Sequence, residues 1–168
     1  MASTVEELHR LLLTRRFRIN PTRCNLGAID PARDRLLQRP LLLHPVLSNS
    51  VRLGIGTRHD QRVLALVQSM LPGTTEITCH KNVTCLPHRD KGNTSQSYIA
   101  FFDGETPFEG CALVFEDGTR YETKGVWHGP FDGARLLHWN EAHTGDKLSC
   151  VAYSRGKYKD GIEGSRRS

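Results

Sequence analysis

At 168 residues the chain is about one ordinary domain, long enough to bury a core without disulfide staples. Its 23 Lys and Arg against 18 Asp and Glu give a net charge of +5, a weak tilt toward a polyanionic partner and no signature of one. The five cysteines (Cys24, Cys79, Cys85, Cys111, Cys150) form no CxxC pair, the N-terminus lacks a signal-peptide pattern, and the apolar runs are too short for a bilayer; the expectation is an intracellular protein of cytoplasm or nucleus, without membrane contact.

"STVEELHRLLLTRRF" opens with Ser3 and carries Glu6 three residues on, a capping-box spacing, ahead of an apolar stripe of Val5, Leu8, Leu11 and Leu12. This predicts an amphipathic helix. The following stretch to Ser50 is interrupted by Pro21, Pro31, Pro40 and Pro45 and is expected to wrap the domain in short turns. "HDQRVLALVQSMLPG" repeats apolar residues at Val63, Leu64, Val67 and Met70 and stops at Pro72-Gly73, predicting a second helix.

Beyond Gly73 the period changes to two. "TEITCHKNVTCLPH", "SYIAFF", "CALVFEDGTRYET", "ARLLHW" and "KLSCVAYSR" read as strands, with Asp117-Gly118 suited to a hairpin turn. Two helices followed by about six to eight strands predict a mainly β, α+β domain. Residues 1–73 are expected as helical support, 74–156 as the β core and 157–168 as a basic, frayed tail, in a monomer of one domain.

"CLPHRDKGN" sets His88 and Asp90 two apart, on one side of a strand by parity. Downstream, "ARLLHWNEAHTGDKLSCVAYSR" offers a further histidine on a strand and then a cation where the next strand begins. Two histidines and one carboxylate on one face of an ion leave three positions open, the arrangement of non-haem Fe(II) oxygenases.

From about Thr75 to Arg155 the chain resembles the Fe(II)- and 2-oxoglutarate-dependent dioxygenases. "HKNVTCLPHRDKGNTSQSYIAFF" looks like the TET/JBP-like branch and related small algal and fungal proteins. The resemblance implies a double-stranded β-helix, or jelly roll, with N-terminal helices packed on the major sheet. It implies Fe(II) and 2-oxoglutarate as cofactors, with ascorbate as another possible reductant, and hydroxylation of a C–H bond coupled to formation of succinate. His88 and Asp90 become the first two ligands. The third is His138, with Lys147 nine residues on and Ser149 after it, ahead of the alternative His143, whose basic partner would be Arg155.

By the same resemblance Lys147 and Ser149 bind the cosubstrate, and Asn93 and Tyr98 line its pocket; as bare sequence these two are a turn-former and a core tyrosine. Lys147, Ser149, Val151, Tyr153 and Arg155 share one face by parity. His80 is expected as an exposed strand residue, Arg89 as a surface group open to a phosphate, and Cys111 as a small buried residue. Trp127, His128 and Trp139 read as core aromatics or as a platform for an extruded base. The substrate to which these signs lead is a 5-methylpyrimidine in nucleic acid. Its rivals are a protein side chain, a small metabolite, or, in another class, a cupin-like module that holds a metal without turnover.

Overall fold

The computed structural model describes residues 4–17, 19–20, 26–28, 46–52, 56–94 and 96–155. Helix α1, Thr4–Leu13, has Glu6 and Glu7 in its first turn and Arg10 in its last, matching the helix dipole, and buries Leu8 and Leu12. Ser3, the expected cap, lies outside the described residues. Helix α2, Arg58–Met70, starts one residue before the predicted stretch because Thr57 caps it: Asp60 N donates to Thr57 Oγ1 (3.0 Å) and Thr57 N to Asp60 Oδ2 (2.9 Å). Asp60 also holds Arg15 in a buried ion pair, which ties the chain after α1 to the start of α2. Among the described residues, no helix is long and apolar enough to cross a membrane.

The rest is mainly β, in antiparallel pairs that form a sandwich. The strands are β1 (Ile19–Asn20), β2 (Leu26–Ala28), β3 (Val46–Arg52), β4 (Glu76–Lys81), β5 (Val83–Cys85), β6 (Ser97–Asp103), β7 (Glu109–Gly110), β8 (Leu113–Phe115), β9 (Arg120–Tyr121), β10 (His128–Phe131), β11 (His138–Asn140), β12 (His143–Thr144) and β13 (Lys147–Tyr153). Six of them form the large sheet, in the order β1-β3-β4-β13-β6-β10. β11-β8-β9 make a three-stranded sheet, and β12-β7 and β2-β5 make two pairs.

Strand β13, paired with β4 and β6, shows why its sequence is apolar on both faces. Leu148, Cys150 and Ala152 join Ile77, Cys79, Ala100 and Phe102 in one core with Leu8, Leu12, Val63, Leu64 and Val67 of the helices. Each fully buried Leu or Val there contributes about 1.5–3 kcal/mol. On the opposite face Val151 packs with Ile99 and Phe101 against Phe108, Cys111, Leu113, Phe115 and Phe131. Lys147 shares that inner face.

Two expectations change. Residues 46–52, read as part of a turn-rich wrap, form β3, which pairs along its length with β4, so the N-terminal support is not purely helical. The prolines stop before this segment, and its Ser48-Asn49-Ser50 types, which favour turns in isolation, are overridden by pairing. In "ARLLHW" only His138 and Trp139 are strand: Arg135 N and Leu136 N both donate to Asp132 O, at 3.3 and 3.0 Å, and make a turn instead. The Asp117-Gly118 hairpin forms as expected, with Gly118 at φ +93°, a left-handed conformation that suits glycine.

Candidate metal centre

Pro87 supplies no N–H, so β5 ends at Cys85 and the H-x-D stretch is not a continuous strand. His88 instead makes a single bridge to His138: His88 N donates to His138 O at 3.0 Å and His138 N to His88 O at 3.1 Å. Asp90 follows beyond the bridge, its N–H given to Gly133 O at 2.8 Å. Thus two segments 50 positions apart are clamped backbone to backbone where their side chains meet.

Both rings are oriented by the same device. His88 Nδ1 lies 2.6 Å from Leu86 O and His138 Nδ1 lies 2.8 Å from Leu136 O, in each case the carbonyl two residues earlier. A carbonyl only accepts, so Nδ1 carries the proton and a neutral ring turns its Nε2 lone pair outward. The two Nε2 atoms face Asp90, at 3.3 Å from Oδ1 for His88 and 3.1 Å from Oδ2 for His138. Without a second proton on the rings, lone pairs would confront a carboxylate, and a cation between them resolves the conflict. One ligand atom from each of the three residues falls within 4.8 Å of the others. Cis ligands on an octahedral ion with bonds near 2.1 Å lie about 3 Å apart, so the set fits a divalent metal of this class.

With no cation between them, the conflict is relieved when a ring takes a second proton on Nε2: burial alone would raise the Asp90 carboxyl, but hydrogen bonds given by such protonated His138 and His88 outweigh it and hold it well below the usual carboxylate range. For His138 burial pushes the imidazole down, yet its contacts to Asp90 and to Leu136 O leave it raised. Phe115 and Phe131 flank the His138 ring at centroid distances of 5.4 and 6.1 Å, an apolar wall. The Asp90 side chain is 24% exposed against 9% for His88 and 4% for His138, so the centre opens on the carboxylate side.

Gly133, which the sequence reading missed, closes the other side. A Cβ there would stand 3.0 Å from Asp90 Oδ2 and 3.4 Å from His138 Cε1. Gly133→Ala is expected to weaken metal binding about 10- to 100-fold while the protein stays folded, read by Mn(II) titration. In sequence, only the "FDGA" turn composition marks this residue.

Lys147 is 2% exposed and sits on the inner face at the start of β13. Its N–H donates to Asn82 Oδ1 at 2.7 Å, its Nζ donates to Cys111 Sγ at 2.7 Å, and the ammonium lies 5.0 Å from the Phe101 ring centroid. Among the described residues no carboxylate pairs with it. Ser149, also buried, stands beside it, opposite His80 on β4 and Phe101 on β6. His80 is buried on this inner face, contrary to the exposed position expected of it. Tyr98 falls on the helix face, paired with Ala152 and packed in the helical core, away from Lys147. Asn93 turns just after Asp90, its N–H on Asp90 O at 3.2 Å, and bridges Arg155.

His143 is placed outside the triad, in β12, its Nε2 3.4 Å from Asn82 Oδ1. Arg155, its expected partner, pairs with Glu76 at 3.2 Å instead. Burial and then the charge of Lys147 push the His143 imidazole down to about 4, against a smaller pull from Asp146. An unfolded histidine takes a proton below about 6.5, and folded His143 does not until about 4. Stability is therefore intact above the first value and falls as pH drops between the two, by up to about 3 kcal/mol. His143→Gln should flatten the loss of urea midpoint between neutral pH and pH 5.

Arg89 is a surface group, tied to Glu116 and to Arg135 O. The three aromatics take separate roles: Trp127 donates to Met70 Sδ, His128 stacks on Tyr121, and Trp139 lies in β11 opposite Val114. A common base-stacking platform is not formed by them.

No family model matches the chain, and no curated protein is similar to it. Among solved structures it is similar to a Pseudomonas putida prolyl-4-hydroxylase, at 14% identity and a TM-score of 0.40, over 92% of this chain and 100% of that one. Neither the TET/JBP-like branch nor a nucleic-acid substrate finds support in these comparisons.

Proposed function

We propose that the chain is an Fe(II)- and 2-oxoglutarate-dependent hydroxylase on a double-stranded β-helix. The observation that carries this is the His88, Asp90 and His138 cluster: three ligand atoms of the right chemistry within 4.8 Å, two of them made neutral nitrogen donors by carbonyls behind them. Such a set occupies one face of an ion and leaves the other for a chelating cosubstrate and dioxygen. Bound Fe(II) with 2-oxoglutarate supplies the oxidising power for C–H hydroxylation.

The protein's own part is positioning. Asp90, held ionised, bridges the two imidazoles and fixes their separation. Lys147, on the inner face of the large sheet, offers the cosubstrate's distal carboxylate a buried cation that no carboxylate among the described residues neutralises, and Ser149 adds a hydroxyl beside it. Phe115 and Phe131 keep water from the His138 side.

The test is an anaerobic titration of Fe(II)-loaded protein with 2-oxoglutarate. A weak visible charge-transfer band that saturates at one equivalent is expected, followed by succinate on admission of air. Iron binding without the band leaves only a metal-holding module and ends the hydroxylase reading.

A further inference from the structure

Lys147 and Cys111 form a contact that cosubstrate binding does not call for. We infer that the pair is a covalent redox lock, in which oxidation joins Cys111 Sγ to Lys147 Nζ and removes the buried cation from use. The bond itself needs only the geometry; its consequence for 2-oxoglutarate rests on the function proposed above.

Both atoms are held at the point of reaction. Nζ and Sγ are 2.7 Å apart, closer even than the roughly 3–3.5 Å of a near-attack arrangement, and the two residues are 2% and 1% exposed. Cys111 is fixed by its backbone: φ is +60°, a rare value for a residue with a side chain, its N–H donates to Ala142 O at 2.9 Å, and its carbonyl accepts from Asn140 Nδ2 at 3.4 Å. Gly110 before it is equally confined, since a Cβ there would meet Ala142 O at 2.5 Å. On the other side Asn82 holds the Lys147 N–H and Phe101 lies under the ammonium. A thiol and an amine so placed have little choice of partner.

The oxidant is hydrogen peroxide, small enough to enter a packed interior. It converts the Cys111 thiol to a sulfenic acid, with one oxygen transferred to sulfur and the other leaving as water. Sulfenic acids condense with adjacent nucleophiles, nitrogen among them. The ammonium first gives one proton to solvent, which frees the Nζ lone pair. Nζ then attacks sulfur, the S–OH bond breaks, and the departing hydroxide takes a second Nζ proton and leaves as water. The product is an S–N bond, two electrons more oxidised than the starting pair and reversible by thiols.

A competing site gives the test its discrimination. Cys79 and Cys150 face each other across β4 and β13 in the helical core, opposed in register, so oxidation could join them as a disulfide instead. Either link lowers the mass by about two units, so peptides must be mapped. The full chain, free of added metal, is treated with hydrogen peroxide and digested with trypsin without reductant. The expected product is the Cys111 peptide joined to a peptide left uncut at Lys147, absent from Cys111→Ser and Lys147→Arg and dissolved by dithiothreitol.

After metal loading, 2-oxoglutarate affinity of the treated wild type should fall at least about tenfold and return on reduction. The Cys111→Ser protein should be indifferent to peroxide. A Cys79–Cys150 disulfide with Lys147 cleavable, or Cys111 carried straight to sulfinic acid, would overturn the lock. If the link forms but the reduced protein never binds 2-oxoglutarate, the proposed function falls and the redox pair stands.

Discussion

Asp90→Asn is expected to raise the metal dissociation constant at least about 100-fold, more than loss of an outer-shell partner costs. The substitution keeps the shape of the side chain but replaces one of two anionic oxygens by an amide nitrogen, which has no lone pair to offer. Since Oδ1 and Oδ2 face different histidines, either orientation of the amide spoils one edge of the set. His138→Ala should do as much, because it removes the buried nitrogen whose ring the Leu136 carbonyl aims. His143→Ala is the discriminating control: its imidazole lies against Asn82, and metal content should be unchanged. Metal content by mass spectrometry after dialysis against Mn(II) reads all three. Retention by His138→Ala together with loss by His143→Ala would hand the third position to His143.

Much of this centre is visible in the residue order because it depends on short-range relations. The two-residue spacing of His88 and Asp90 keeps them on one side even though Pro87 breaks the strand, and the parity of β13 sends Lys147 and Ser149 inward whatever its neighbours are. What stays hidden depends on pairing. The Ser48-Asn49-Ser50 stretch reads as turn until β4 claims it within a pairing of six positions, Leu47 to Arg52. The resemblance puts Tyr98 in the pocket, yet the parity of β6 sets it with Ala100 and Phe102 on the helix face. His80 reads as a polar strand residue in solvent, and only the closing of the inner face over Ser149 buries it. Gly133 and the Cys111 contact are tertiary facts. A glycine beside a carboxylate 43 positions earlier leaves no periodic trace.

Lys147→Met is expected to separate stability from function. The substitution conserves length and removes an ammonium that lies among Phe101 and Cys111 with no carboxylate beside it among the described residues. Replacing a buried ion pair with apolar side chains of similar volume is neutral or gains about 1–4 kcal/mol in other proteins, and a buried cation with no carboxylate beside it has the same desolvation cost to recover. For a domain of this size each kcal/mol moves the melting temperature by about 2–4 °C, so the metal-free variant should melt several degrees higher. Losing one partner of a desolvated ion pair with the cosubstrate costs about 2–5 kcal/mol, which puts 2-oxoglutarate affinity down by roughly 30- to 5,000-fold. Metal binding should hold, as Lys147 contributes no atom to the triad. Calorimetry with Mn(II) and 2-oxoglutarate beside a thermal melt reads the three quantities. A variant that melts lower and binds cosubstrate normally would mean that the ammonium is structural, satisfied by the sulfur and the ring alone. The opposite pair of results would mean that the fold keeps a buried cation at a cost to its own stability because an anion arrives there.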